Sequence, residues 1–157
     1  MTKERKQEFT RRITQSNRSG LVLIKYEILF AYMDDIRTAY EENNREDLIN
    51  GVRHADGVLK SFQETLDFSY EISGRLYAIY DFHRRQLAKV LIKYSLEDME
   101  QSRNMLQQMY HTFQEVAKQD ESKPLMQNAQ QVYAGYTYGK SDINESYDTG
   151  SKRGFLA

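Results

Sequence analysis

Three histidines, His54, His83 and His111, are the side chains of this chain best suited to metal or acid–base chemistry, and their surroundings supply neither. None follows a glutamate at the Glu-x-x-His spacing that carboxylate-bridged metal bundles use. The Arg-(4–6)-His spacing of a helical ribonuclease is missed too, since seven residues separate Arg75 from His83 and Arg103 from His111. There is no cysteine to act as a thiolate, no glycine-rich phosphate loop, and no serine with a convincing His/Asp partnership. The sequence therefore predicts no catalytic residue, no metal site and no cofactor. The chemistry it does concentrate is that of recognition. In Leu66–Leu87, LDFSYEISGRLYAIYDFHRRQL, a Tyr-rich apolar helical face runs into Tyr80–Asp81 and then Arg84–Arg85. His83 falls in line with that face and reads as a core or boundary histidine. The two arginines are placed to lay their stems along a bundle and to pair with Asp81 or a neighbouring acid.

The elements that carry these residues are helical. Glycine is sparse, at 8, and the single proline is Pro124, so everything before it can be helix. A first long helix is predicted over Ser19–Glu42, where Val22, Tyr26, Leu29, Met33, Ile36 and Tyr40 recur at 4-3-4-3-4 spacing. Leu21, Ile24, Ile28 and Tyr32 widen that seam into a face able to meet more than one neighbour. A second helix follows over Arg45–Leu66 with the same spacing in Leu48, Val52, Ala55, Leu59, Phe62 and Leu66. Asn17 and Asn44 are the expected N-caps of these two. Gly51 and Gly57 inside the second helix serve either a close helix approach or a solvent face. A third helix spans Ser69–Tyr94 with Ile72, Leu76, Ile79, Leu87 and Leu91 as its spine. A fourth opens at Ser95, with Met99, Leu106 and Phe113 at seven-residue intervals. Short connections between them predict an all-α, antiparallel up-down four-helix bundle over 19–118.

Two flanks complete the chain. Residues 1–18 form a polar N-terminal arm with six Lys/Arg against two Glu, either solvated or anchored on the bundle by Phe9 and Ile13. Residues 119–157 form a C-terminal extension, with a short helix expected from Pro124 through Leu125, Ala129, Val132 and Tyr133 and a Tyr-rich polar tail after it. The chain carries 22 basic and 23 acidic residues, a net charge of −1, which offers no field for nucleic acid or an anionic membrane. No apolar run approaches the ~20 residues of a membrane span, and no secretory h-region is visible at the N-terminus. The absence of cysteine fits a reducing cytoplasm. Tyrosine, at 12 with no tryptophan, suits half-buried surfaces.

The Leu66–Leu87 stretch resembles the third helix of the FliS-type flagellar secretion chaperones. That helix reads roughly L-Y-D-Y-M-x-R-R-L, and Tyr80, Asp81, Phe82, His83, Arg84 and Arg85 stand close to it. The likeness continues in ITQSNRSGLVLIKYEI, Ile13 to Ile28, which is similar without gaps to the family's pre-helix cap and first helix. Ile13 takes the pre-helix apolar position, Leu21 the first leucine and Tyr26 the tyrosine. Leu66–Asp67 resembles the end of the second helix, and Phe113 stands where the family usually has tryptophan. Arg18 replaces the cap proline, and Glu27–Ile28 replaces an Asp-Gly. The similarity covers about residues 9–118. It implies a cytoplasmic export chaperone that binds the C-terminal region of flagellin, blocks premature polymerisation and keeps the client fit for secretion. An export-gate component and a homodimer are the further partners considered. The match and the apolar width together place the partner contacts at Ile13, Leu21, Ile24, Tyr26, Tyr80 and Arg84. The rival is a self-associating structural or regulatory bundle without a flagellin client.

Overall fold

The computed structural model describes residues 1–126 of the 157-residue chain. Among them lie five α-helices and no strand: α1 (Lys3–Thr14), α2 (Arg18–Glu41), α3 (Arg45–Glu64), α4 (Glu71–Lys93) and α5 (Glu97–Ala117). Helices α2 to α5 form a helical bundle in which each packs on the next and α5 closes back on α2, while α1 lies on α2. The starts of α2 and α3 are set by side-chain caps: Asn17 Oδ1 accepts the Gly20 N–H at 2.9 Å and Asn44 Oδ1 the Asp47 N–H at 3.1 Å. Between α2 and α3 the chain reverses through Asn43, held at φ 55°, and Asn44 N–H returns to the Ala39 carbonyl at 2.8 Å. Gly51 marks a close approach: a Cβ there would stand 2.8 Å from Ile36 Cγ1, whereas one on Gly57 would meet nothing. One glycine serves packing and the other is simply tolerated.

The main core lies among helices α2 to α5. Leu29, Met33 and Ile36 of α2, Leu48, Val52, Leu59 and Phe62 of α3, Leu87 and Val90 of α4, and Met99 and Leu106 of α5 are buried together. Leu76 and Phe113 pack against them from partly buried positions. The seams predicted for the first two helices supply most of this cluster.

The spine predicted for the third helix is corrected. Ile72, Ile79 and Leu91 are exposed, and α4 instead turns Ser73, Tyr80, His83, Leu87 and Val90 inward. Each polar member of this stripe has a tertiary hydrogen bond, although His83 Nε2 is buried without a partner. Ser73 Oγ donates to the Asp67 carbonyl, Tyr80 meets Tyr26, and His83 Nδ1 lies 2.7 Å from Ser102 Oγ on α5. The flanks differ as well. Residues of the N-terminal arm fold into α1, started by Thr2, whose Oγ1 accepts the Arg5 N–H at 3.3 Å. Phe9 alone is buried from that helix, and Ile13 is exposed. Pro124 to Met126 are not helical, and the rest of the expected short helix and the tail lie outside the described residues.

Truncating a core leucine removes its transfer energy and leaves a cavity, so Leu59→Ala or Leu106→Ala is expected to cost about 2–5 kcal/mol in urea or thermal unfolding. His83 gives a second expectation. Burial pushes its imidazole down from 6.5 to about 4. The folded protein thus holds this ring neutral where the unfolded chain would protonate it, and stability falls as pH drops from about 6.5 to about 4. Melting temperatures measured across that window should fall more steeply for the native chain than for His83→Leu.

Candidate partner-binding surface

Tyr26 and Tyr80 sit at the centre of the bundle, 0% and 2% exposed, with their hydroxyls 3.0 Å apart. Phe62 stacks on the Tyr80 ring at 4.9 Å and 11°, and packs on Tyr26 at 4.7 Å. Phe113 adds a third wall at 5.7 Å from Tyr26. Burial pushes both hydroxyls up, so they remain un-ionised, each able to donate or accept. This joint fixes α2 against α4 across the core. Neither side chain is open to a partner in this conformation, and both act behind the surface.

Beside the joint, Arg84 reaches from α4 to α3. Its Nε and Nη2 donate to the two carboxylate oxygens of Asp56 at 2.7 and 3.1 Å, and its Nη1 to Gln63 Oε1 at 3.1 Å. Gln63, itself buried, passes the bond on from Nε2 to the Tyr77 carbonyl at 3.2 Å. The neighbouring Arg85 pairs with Asp81 one turn back on an exposed face. The double arginine thus divides its work: the half-buried Arg84 clamps two helices through a bidentate carboxylate pair, and Arg85 stays in solvent.

With Tyr80 and His83 turned inward, one edge of α4 carries an apolar row, Ile72, Ile79 and Phe82, and Tyr77 stands on the opposite edge. Ile72, Tyr77, Ile79 and Phe82 are all exposed, preceded by Phe68 and Tyr70 in the approach to the helix. Phe68 and Tyr70 are 64% and 65% exposed, too open to be core. Met105 and Val116 on α5 are exposed apolar side chains as well. Exposed apolar surface gathered on one stretch of chain marks an interaction site more often than a lone exposed leucine does.

A second apolar area is covered. Ile24 and Ala31 on α2 are buried beneath Phe9 of α1, with Ile28 alongside. The cover is thin, because Phe9 is the only buried residue of its helix. Its other ties are ionic: the Met1 ammonium just before α1 donates to Asp35 at 2.6 Å, and Arg12 forks onto Glu27, with Nη2 to Oε1 at 2.9 Å, where the Tyr110 hydroxyl of α5 donates to the same Glu27 oxygen at 3.0 Å. Hydrogen bonding to Glu27 raises the already high pKa of Arg12, so its guanidinium stays charged. An open cleft lined by Arg5, Glu8, Phe30 and Arg103 flanks α1 on one side, and one lined by Tyr32, Asp35 and His54 on the other.

The site residues expected from sequence are thus dispersed over three environments. Ile13 is exposed on α1, Leu21 is half-buried near the start of α2, and Ile24 lies under the α1 cover. Tyr26 and Tyr80 are brought together in the core, and Arg84 is engaged with Asp56. The exposed α4 row was missed, although the alternative stripe Ser73–Tyr80–His83–Leu87–Val90, spaced 7-3-4-3, was present to be found. Among the described residues no cluster of His, Cys, Asp or Glu could hold a metal ion, and no helix is long and apolar enough to cross a membrane.

A helical bundle with an open apolar row and a second apolar area under a lightly held helix is a protein-binding scaffold. The family flagellar protein FliS matches residues 1–120, and the chain belongs to that family of flagellar export chaperones. A comparison with curated proteins returns no match.

The tyrosine joint makes a direct energetic prediction. Tyr26→Phe leaves the Tyr80 hydroxyl buried without its partner and should cost about 1–3 kcal/mol in chemical denaturation. Tyr26→Phe combined with Tyr80→Phe should cost less than the sum of the two single changes, which a double-mutant cycle measures.

Proposed function

We propose that this chain uses an antiparallel up-down four-helix bundle as a cytoplasmic scaffold for the C-terminal segment of flagellin, holding that segment away from polymerisation until export. The observation that carries the proposal is the exposed apolar row Ile72, Ile79 and Phe82 along one edge of α4 of a chain belonging to a flagellar chaperone family. An amphipathic segment can lay its apolar face on such a row. Ile13, Leu21 and Ile24 belong to a second contact area, reached when α1 lifts and Phe9 leaves Ile24 and Ala31. Arg84 supports the α4 surface through Asp56 rather than by touching the client.

The two areas lie on α2 and α4, which meet across the core at Tyr26 and Tyr80. Their outer faces therefore point away from each other. A client that used both would wrap around the bundle instead of docking as one straight helix, which suits a segment that orders only on binding. An export-gate component or a second copy of the chain would compete for the same α4 row.

Titration calorimetry of the full chain with a flagellin C-terminal peptide tests this. The native protein is expected to bind at about micromolar or tighter. Ile79→Lys should weaken binding at least about tenfold with little change in melting temperature, since Ile79 is 37% exposed and a lysine stem there can lie along α4 with its ammonium in water. Absence of any complex with the native chain would overturn the proposal. A native dimer in light scattering that Ile79→Lys dissolves, with no peptide bound, would assign the row to self-association. Ile24 is a poorer probe, because a change there first unseats α1.

A further inference from the structure

Past α5 the chain crosses back over the beginning of α2 and is gripped there. Asn17 is engaged at both ends of its amide: Oδ1 caps α2, while Nδ2 donates to the Asp120 carbonyl at 3.3 Å and to the Ser122 carbonyl at 3.1 Å. Ser19 Oγ donates to Asp120 Oδ2, and the other carboxylate oxygen takes the Ser122 N–H at 3.0 Å. Hydrogen bonds from Ser122 and Ser19 pull the Asp120 carboxyl down to about 2, so it is ionised and an acceptor at any working pH. The last grip is backbone to backbone, Leu125 N–H to the Ser16 carbonyl at 3.1 Å. Each of these bonds that leaves the strap falls on Ser16, Asn17 or Ser19. Those residues are the short connector between α1 and α2 and the first turn of α2.

We propose that residues 120–125 are a latch: by holding the α1–α2 connector they keep α1 seated, and opening the strap and releasing α1 are coupled. Three features of the geometry support this. The connector, Gln15 to Asn17, is the only covalent path by which α1 can swing, so fixing Ser16 and Asn17 fixes the angle at which α1 leaves α2. The seat of α1 is otherwise one buried aromatic and two ion pairs, Arg12 with Glu27 and the Met1 ammonium with Asp35 at 2.6 Å, a light hold to which the grip on its root adds. The strap itself is reversible, because Glu121 to Met126 are exposed and it is held by hydrogen bonds rather than by burial. Its effect on client affinity rests on the reading of α1 as a displaceable cover. A latch that keeps α1 down lowers the fraction of molecules with Ile24 and Ala31 open, and the apparent affinity falls by that fraction.

Hydrogen exchange of the full chain, read helix by helix in mass spectrometry, tests the latch without a client. Two variants loosen the strap in different ways. Asp120→Ala removes its anchor. Asn17→Asp keeps the capping acceptor for Gly20 but replaces the amide donor with a carboxylate beside Asp120. Both are expected to speed exchange of the α1 amides at least about tenfold while α3, α4 and α5 exchange as before. Unchanged α1 exchange in either variant overturns the latch, and so does equal acceleration in every helix, which would make the strap a general stabiliser. Calorimetry with the flagellin peptide then separates the two readings. A matching rise in affinity supports latch and cover together; faster α1 exchange at unchanged affinity supports the latch and removes α1 from client binding.

Discussion

The meeting of the Tyr26 and Tyr80 hydroxyls in the middle of the bundle is the constraint from which much of the surface follows. A buried hydroxyl without a partner costs about 1–3 kcal/mol, so each tyrosine is admitted to the core only with the other in place. That requirement fixes the rotation of α4. Successive residues on a helix point about 100° apart, so a helix that turns Tyr80 and His83 inward turns Phe82 away and leaves Ile79, about 40° from His83, at the rim of the core. The apolar row on α4 is the rim of a partly polar core. Arg84 holds the same rotation from the flank, because its fork on Asp56 and its bond to Gln63 would break if α4 rolled.

The cover on α2 follows a different physical logic. A helix of 12 residues is marginal alone in water, and α1 adds one buried phenylalanine, a contribution of about 1.5–3 kcal/mol. The ion pair between Arg12 and Glu27 is partly solvated and adds less. Such a seat is strong enough to hide Ile24 and Ala31 from water and weak enough to be exchanged for a better occupant. The α2–α3 contact shows the contrary case, where Gly51 lets two backbones approach so closely that a single methyl would collide with Ile36. One side of α2 is thus built to stay shut and the other to be loosened.

Heptad spacing made the first two long helices legible in the sequence, because nearly every core position there is apolar and the caps are asparagines. Their bounds fall within a residue or two of those expected, and Leu59, Leu87 and Leu106 are fully buried. The face of α4 was misjudged for a specific reason. Counting apolar side chains rewards Ile72, Ile79 and Leu91 over a stripe containing Ser73, Tyr80 and His83, and only tertiary hydrogen bonds reverse that order. The helicity of the N-terminal arm was hidden by its polarity, with Phe9 alone to hold it. The strap could not have been anticipated, since it depends on Asn17 serving a helix cap and a distant carbonyl at once. That double use leaves no mark in spacing.

The same tyrosine joint gives the protein an optical signature. With no tryptophan in the chain, near-ultraviolet signals arise from tyrosine and phenylalanine alone. Among the described residues, Tyr26, Tyr80, Phe62 and Phe113 are rings packed together in one asymmetric environment, whereas Phe68, Tyr70 and Tyr77 are exposed. Near-ultraviolet circular dichroism therefore watches the junction of α2 with α4 without any label. In alkali, the buried Tyr26 hydroxyl would absorb as phenolate only once that junction had come apart.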